Sequence, residues 1–161
     1  MPRLDRLQEI DETLSDLLGL LEEELGRARA QTARLAALDG PAAFEYARSR
    51  ETFTIRLAAH EARLLEQVGE AAQALGMSSF EVSEIRRRFP EPGARLFLKL
   101  AALGRAAAAL RGQDARNLHL AGRARACVTG WLRALTGPAA AYTRRGAAQA
   151  LPAFSTAVRV A

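Results

Sequence analysis

Apolar residues recur along the first part of the chain in steps of three and four: Leu4, Leu7, Leu14, Leu18, Leu21, Leu25, Ala28 and Leu35. Asp11 and Thr32 are the only polar members of the series. Such spacing keeps side chains on one stripe of a helix and predicts a helix over residues 3–38 with a heptad seam. Asp39-Gly40-Pro41 ends it, because glycine tolerates a left-handed cap and proline can open the next helix. A second helix is predicted over residues 41–75, with Phe44, Phe53, Leu57, Leu64, Val68, Ala71 and Leu75 on one broad face and Gly76 closing it. At about 1.5 Å per residue each helix would span about 50 Å, giving an elongated antiparallel hairpin.

Ser78-Ser79-Phe80-Glu81 carries a capping-box pattern, Ser78 reaching forward and Glu81 back, and predicts a short connecting helix over residues 79–88. Phe89-Pro90-Glu91-Pro92-Gly93 should end it, with a third long helix over residues 94–135. The seam of that helix runs Leu100, Leu103, Ala107, Leu110, Asp114, Asn117, Ala121, Ala124, Val128, Trp131 and Leu135. Gly104, Gly112, Gly122 and Gly130 interrupt it, each costing up to about 1 kcal/mol against alanine. They imply close backbone packing, with a break near Gly112-Gln113-Asp114 as the alternative. Asp114 and Asn117 sit where the seam should be apolar; they either fix register as buried polar groups or lie where the helix loosens towards water. The pattern fades after Pro138, so residues 1–137 are expected to form an all-α bundle and 138–161 a tail that is mobile when unbound or lightly docked.

At 161 residues, 49% apolar but 6% aromatic, the chain can bury one core, with alanine and leucine favouring close helices over a sheet. No apolar run is long enough to cross a bilayer, the N-terminus has no secretory pattern, and the single Cys127 cannot form an internal disulfide. A cytoplasmic protein fits all three. The net charge of +5 is unevenly spread: residues 1–83 carry about −6 and residues 84–161 about +11. Acidic early helices beside a basic late one would explain this, and so would a surface for nucleic acid or an acidic protein.

Chemistry of a catalytic kind is not legible. His60 and His119 are far apart and lack ligand partners at helical spacing, and Cys127 reads as a small buried hydrophobe. Glu22, Glu23 and Glu24 read as a solvated helix face, and no phosphate-binding, nucleophile-elbow or zinc-protease motif occurs. We expect no enzyme activity, no cofactor and no metal. Arg86-Arg87-Arg88 and Arg144-Arg145 offer phosphate contacts, but the scattered aromatics form no stacking platform.

The order of elements resembles a known family. LLGLLEEELGRARAQTARLAALDG has the look of a Leu/Glu opening helix, ARSRETF holds arginine where the family commonly has lysine and glutamate, and QVGEAAQALGMS closes its helix at a Leu-Gly pair. Asn117 then leads a helix through Trp131, followed by Tyr142 and, four residues on, Gly146. In this layout the chain resembles the FlgN family of flagellar type III export chaperones.

The resemblance implies a protein that binds C-terminal helical segments of the hook–filament junction proteins, keeps them from premature assembly and delivers them to the export gate protein FlhA. It assigns gate docking to Tyr142. Cargo would lie on the terminal helix at Leu118, Ala121, Val128, Trp131, Leu132 and Leu135. Trp131 also has a core reading, since a seam position buries most of a large ring. The basic charge of this half and the arginines beside Tyr142 depart from the family's usual pattern. The alternatives from the residues alone are a basic helical protein for nucleic acid or an acidic surface, and a self-associating coiled-coil subunit.

Overall fold

The structure, a computed structural model, describes residues 2–136, 141–142 and 148–149. Four helices follow one another: α1 (Pro2–Ala36), α2 (Gly40–Leu75), α3 (Val82–Arg88) and α4 (Pro90–Thr136). The all-α expectation is met, and α4 runs unbroken through Gly112-Gln113-Asp114. Past α4, Ala141–Tyr142 pairs antiparallel with Ala148–Gln149; the rest of the expected tail lies outside the described residues. The chain divides into two compact units, residues 1–121 and 122–161.

In the first unit α1 is buried on a wider stripe than a single seam. Leu7, Ile10, Leu14, Leu17, Leu20, Leu21 and Ala28 are all buried, whereas Leu4 is exposed and Leu18 and Leu35 are half-buried. Two adjacent ridges are covered because α1 meets two helices rather than one. One core cluster joins Leu7, Ile10 and Leu14 to Ala71 and Leu75 of α2, Ile85 of α3 and Leu96 of α4. The second joins Leu20, Leu21 and Ala28 to Phe53 of α2 and Leu110 of α4. The early end of α1 thus meets the late end of α2 and the early end of α4, so α2 runs antiparallel and α4 parallel to α1. Each fully buried leucine contributes roughly 1.5–3 kcal/mol of transfer free energy. Phe44, expected on the buried face of α2, is instead 79% exposed, since it precedes the stretch of α2 that joins either core cluster.

The α1–α2 turn departs from the expected geometry. Leu38, not Gly40, takes the left-handed conformation, at φ 57°. Its N–H donates to Leu35 O (3.2 Å) and that of Asp39 to Arg34 O (3.0 Å), which together close a Schellman cap. Asp39 then caps α2, its Oδ1 accepting from Ala42 N at 3.1 Å, while Gly40 and Pro41 form the first turn. A leucine in this conformation is strained by roughly 1–2 kcal/mol, and Leu38 is too exposed for burial to offset it. Leu38→Gly is expected to stabilise the protein by about 0.5–1 kcal/mol after the added flexibility of the unfolded chain is deducted. Thermal melting checks it; an unchanged or lower Tm contradicts the strain.

Gly76 closes α2 as expected, at φ 66°, its N–H donating to Gln73 O and that of Met77 to Ala72 O. The capping box does not form. The helix after it begins at Val82 rather than Ser79, with Glu81 at its cap position making no side-chain cap bond; Ser79 Oγ reaches Glu81 Oε1 at 3.4 Å. Ile85, fully buried, anchors α3 from inside. On its outer side Glu84 accepts from Arg87 and Arg88, and these bonds hold its carboxyl down to about 2. Arg88 Nη1 also donates to Leu75 O at 3.2 Å, satisfying a carbonyl that the end of α2 leaves without a helical partner.

Residues 90–93, expected to be a connection, are the first turn of α4. Pro90 and Pro92 fit there because the first turn has no use for their missing N–H groups, and Gly93 N makes an intrahelical bond to Phe89 O at 2.9 Å. Gly93 packs directly against the backbone of α3: a Cβ on it would lie 2.6 Å from Arg86 N, 2.9 Å from Arg86 Cβ, and closer still to Arg86 Cα. The close packing expected at Gly104, Gly112, Gly122 and Gly130 is absent, with nothing within 4 Å of a Cβ at any of them.

Candidate partner-binding helix

The seam of α4 changes character along its length. From Leu96 to Asn117 it is engaged with α1 and α2, and several of its contacts are polar. Lys99 Nζ donates to Asp11 Oδ2 (2.7 Å), Asp11 O (2.9 Å) and Ser15 Oγ (2.6 Å). Five turns on, buried Asn117 donates through Nδ2 to Ala28 O at 2.7 Å and accepts through Oδ1 from Thr32 Oγ1 at 2.8 Å. Gln113 Nε2 donates to the same Thr32 hydroxyl at 2.6 Å. The two polar interruptions in the α1 seam, Asp11 and Thr32, therefore each meet a polar residue of α4. A one-turn slip of the helices would leave these groups unpaired in the interior.

Asp114, the other polar seam residue, pairs with Arg50 of α2. Arg50 also reaches Glu24 Oε1 at 3.0 Å and lies over the Phe53 ring, 4.9 Å from its centroid. Glu24 is fully buried and takes a second contact from Arg27 Nη1 at 3.3 Å. Burial works to lower the Arg50 pKa, but the carboxylates of Glu24 and Asp114 outweigh it and hold the guanidinium above its ordinary value. Burial raises the neighbouring Tyr46 hydroxyl, with Arg50 pulling against it.

The expectation that Glu22, Glu23 and Glu24 share a solvated face is corrected: Glu22 and Glu23 are exposed, Glu24 is not. The signal was present in the spacing. Glu24 follows Leu17 by seven, Leu20 by four and Leu21 by three, which places it on the buried ridge.

Beyond Asn117 the apolar residues of α4 are largely exposed. Leu118 is 76% exposed, Trp131 61% and Leu135 83%; Val128 and Leu132 are exposed as well, and Ala121 is half-buried. Trp131 is thus not core, and Cys127, expected to be buried, is exposed. The stretch is also one-signed. Arg105, Arg111, Arg116, Arg123, Arg125 and Arg133 make no ion pair among the described residues, and Asp114, the only carboxylate among residues 105–136, is taken by Arg50.

Tyr142 has its backbone paired with Ala148; its side chain lies outside the described residues. Elsewhere in the first unit an apolar crevice of about 230 Å³ lies among Ile10, Leu14, Leu64, Val68, Leu96 and Leu100, with no polar group to orient a small ligand. Among the described residues no cluster of His, Cys, Asp or Glu is placed to hold a metal ion, and no helix is long and apolar enough to cross a membrane. The arrangement suits recognition by a helix face. No family model, curated protein or solved structure matches the chain.

Proposed function

We propose that this chain is a flagellar export chaperone of the FlgN type, acting in the cytoplasm without catalysis or cofactor. It binds C-terminal helical segments of the hook–filament junction proteins and hands them to the export gate protein FlhA. The observation that carries this reading is the set of exposed apolar side chains late on α4: Val128, Trp131 and Leu135 on the seam, with Leu118 and Leu132 beside it and Ala121 half-buried. An apolar helix face of this kind is covered by a partner helix, and a cargo segment whose own apolar face drives assembly is kept apart by lying on it. An interface hiding roughly 1,000 Å² of apolar surface gives a gross ~25 kcal/mol, most of it offset by ordering and lost freedom on association.

Co-purification and calorimetric titration with the C-terminal segments of the organism's junction proteins test this, and saturable one-to-one binding is expected. A stable homodimer that ignores those segments would assign the chain to the structural coiled coils instead. Tyr142→Ala is expected to leave cargo affinity within about two-fold while weakening FlhA binding at least about ten-fold, the loss typical of an aromatic anchor. Loss of cargo affinity in that variant would contradict the role of Tyr142.

A further inference from the structure

The exposed seam and the unpaired arginines lie on the same stretch of one helix, and together they define the partner. In heptad register Val128 and Leu135 alternate with Ala124 and Trp131 along the seam, and Arg125 lies immediately beside it. In a two-helix contact the seam supplies affinity, and the charges flanking it select the partner. Arg125 flanks the seam, Arg123 and Arg133 lie farther round the helix, and no acidic residue occurs among residues 122–136, so the stretch presents a potential of one sign. None of these arginines has a carboxylate partner among the described residues.

We propose that the terminal stretch of α4 selects an acidic amphipathic helix, one that carries leucine-like residues at heptad spacing and glutamate or aspartate beside them. This rests on the proposed binding role of α4 and narrows it to one chemical class of segment. Nucleic acid fits less well, because Trp131 is the only described aromatic on a stretch otherwise lined by aliphatic groups. An anionic membrane surface would engage the same face, and the vesicle arm of the test below separates it from a helix.

Trp131 is the only tryptophan, so its emission reports directly on the site. The full-length protein is titrated with two synthetic three-heptad peptides of the same leucine seam, one flanked by glutamate and the other by lysine. The glutamate peptide is expected to shift Trp131 emission to the blue and to bind at least about ten-fold more tightly at low salt, with the advantage shrinking as salt is raised. Arg123→Glu with Arg125→Glu should reverse the order of the two peptides while leaving helicity and Tm unchanged, since both sites are exposed. Equal affinities, or no emission shift with either peptide, overturn the proposal. So does saturation by anionic phosphatidylserine vesicles or duplex DNA at lower concentration than the glutamate peptide. If junction-protein segments bind without any such charge preference, the acidic-partner proposal falls and the export role stands. If the glutamate peptide binds and the junction segments do not, the export role falls instead.

Discussion

Gly93→Ala is expected to destabilise the protein by about 3 kcal/mol and to lower Tm by roughly 6–12 °C. Helix propensity alone predicts the opposite sign, since alanine is favoured over glycine within a helix by up to ~1 kcal/mol. The contact decides the matter. The new methyl would meet the backbone of Arg86, with its nitrogen at 2.6 Å, and backbone cannot rotate aside as a side-chain tip can. To make room α3 and α4 must separate, which uncovers Ile85 and Leu96, now 0% and 1% exposed. Gly104→Ala is the matched control: it lies on the same helix with nothing within 4 Å, and should raise stability by up to ~1 kcal/mol. Denaturant unfolding of the two variants checks both signs. Stabilisation by Gly93→Ala would mean that the two helices do not approach as described.

Arg50→Met should cost about 3 kcal/mol, the lower end of what removal of one partner from a buried ion pair costs. The reason is Glu24, which is fully buried and would keep only Arg27 at 3.3 Å. The lower end applies because the Arg50 side chain itself stays 30% exposed and water can screen part of the interaction. Adding Glu24→Leu to Arg50→Met should restore at least half of the loss, because an apolar side chain suits the ridge between Leu21 and Ala28 better than an unpartnered carboxylate. If the two substitutions simply add their losses in a double-mutant cycle, the coupling across α1 and α2 is not there.

How much of this was legible before the structure depended on whether a feature was local or required a neighbour. The three long helices and the stops at Asp39 and Gly76 follow from spacing and turn chemistry within a few residues. The polar seam positions Asp11, Thr32, Asp114 and Asn117 could be picked out one helix at a time. Their pairing, Thr32 with Asn117 and Asp11 with Lys99, depends on α4 lying parallel to α1, and no single stretch of sequence states that. Pro90 and Pro92 were misread because proline breaks a helix interior yet suits its first turn, and only the position of Arg86 explains the glycine that follows them. Glu24 was hidden by two exposed glutamates beside it. The apolar residues past Asn117 read as a seam, but the exposure of Trp131 and Cys127 depends on what packs on that face, which local pattern does not record.

The parallel placement of α4 also sets an order of events during synthesis. The α1–α2 hairpin closes through a short turn and can begin to form once residue 75 has left the ribosome, whereas Lys99, Gln113 and Asn117 emerge later. Until they do, Asp11 and Thr32 keep their water shells, and the ridge of α1 that α4 will cover stands open. The polar pairs between α1 and α4, separated by more than 80 residues in the chain, are therefore among the last contacts to be made. A nascent chain stalled before residue 96 would expose a half-covered leucine ridge, the kind of surface that general chaperones hold.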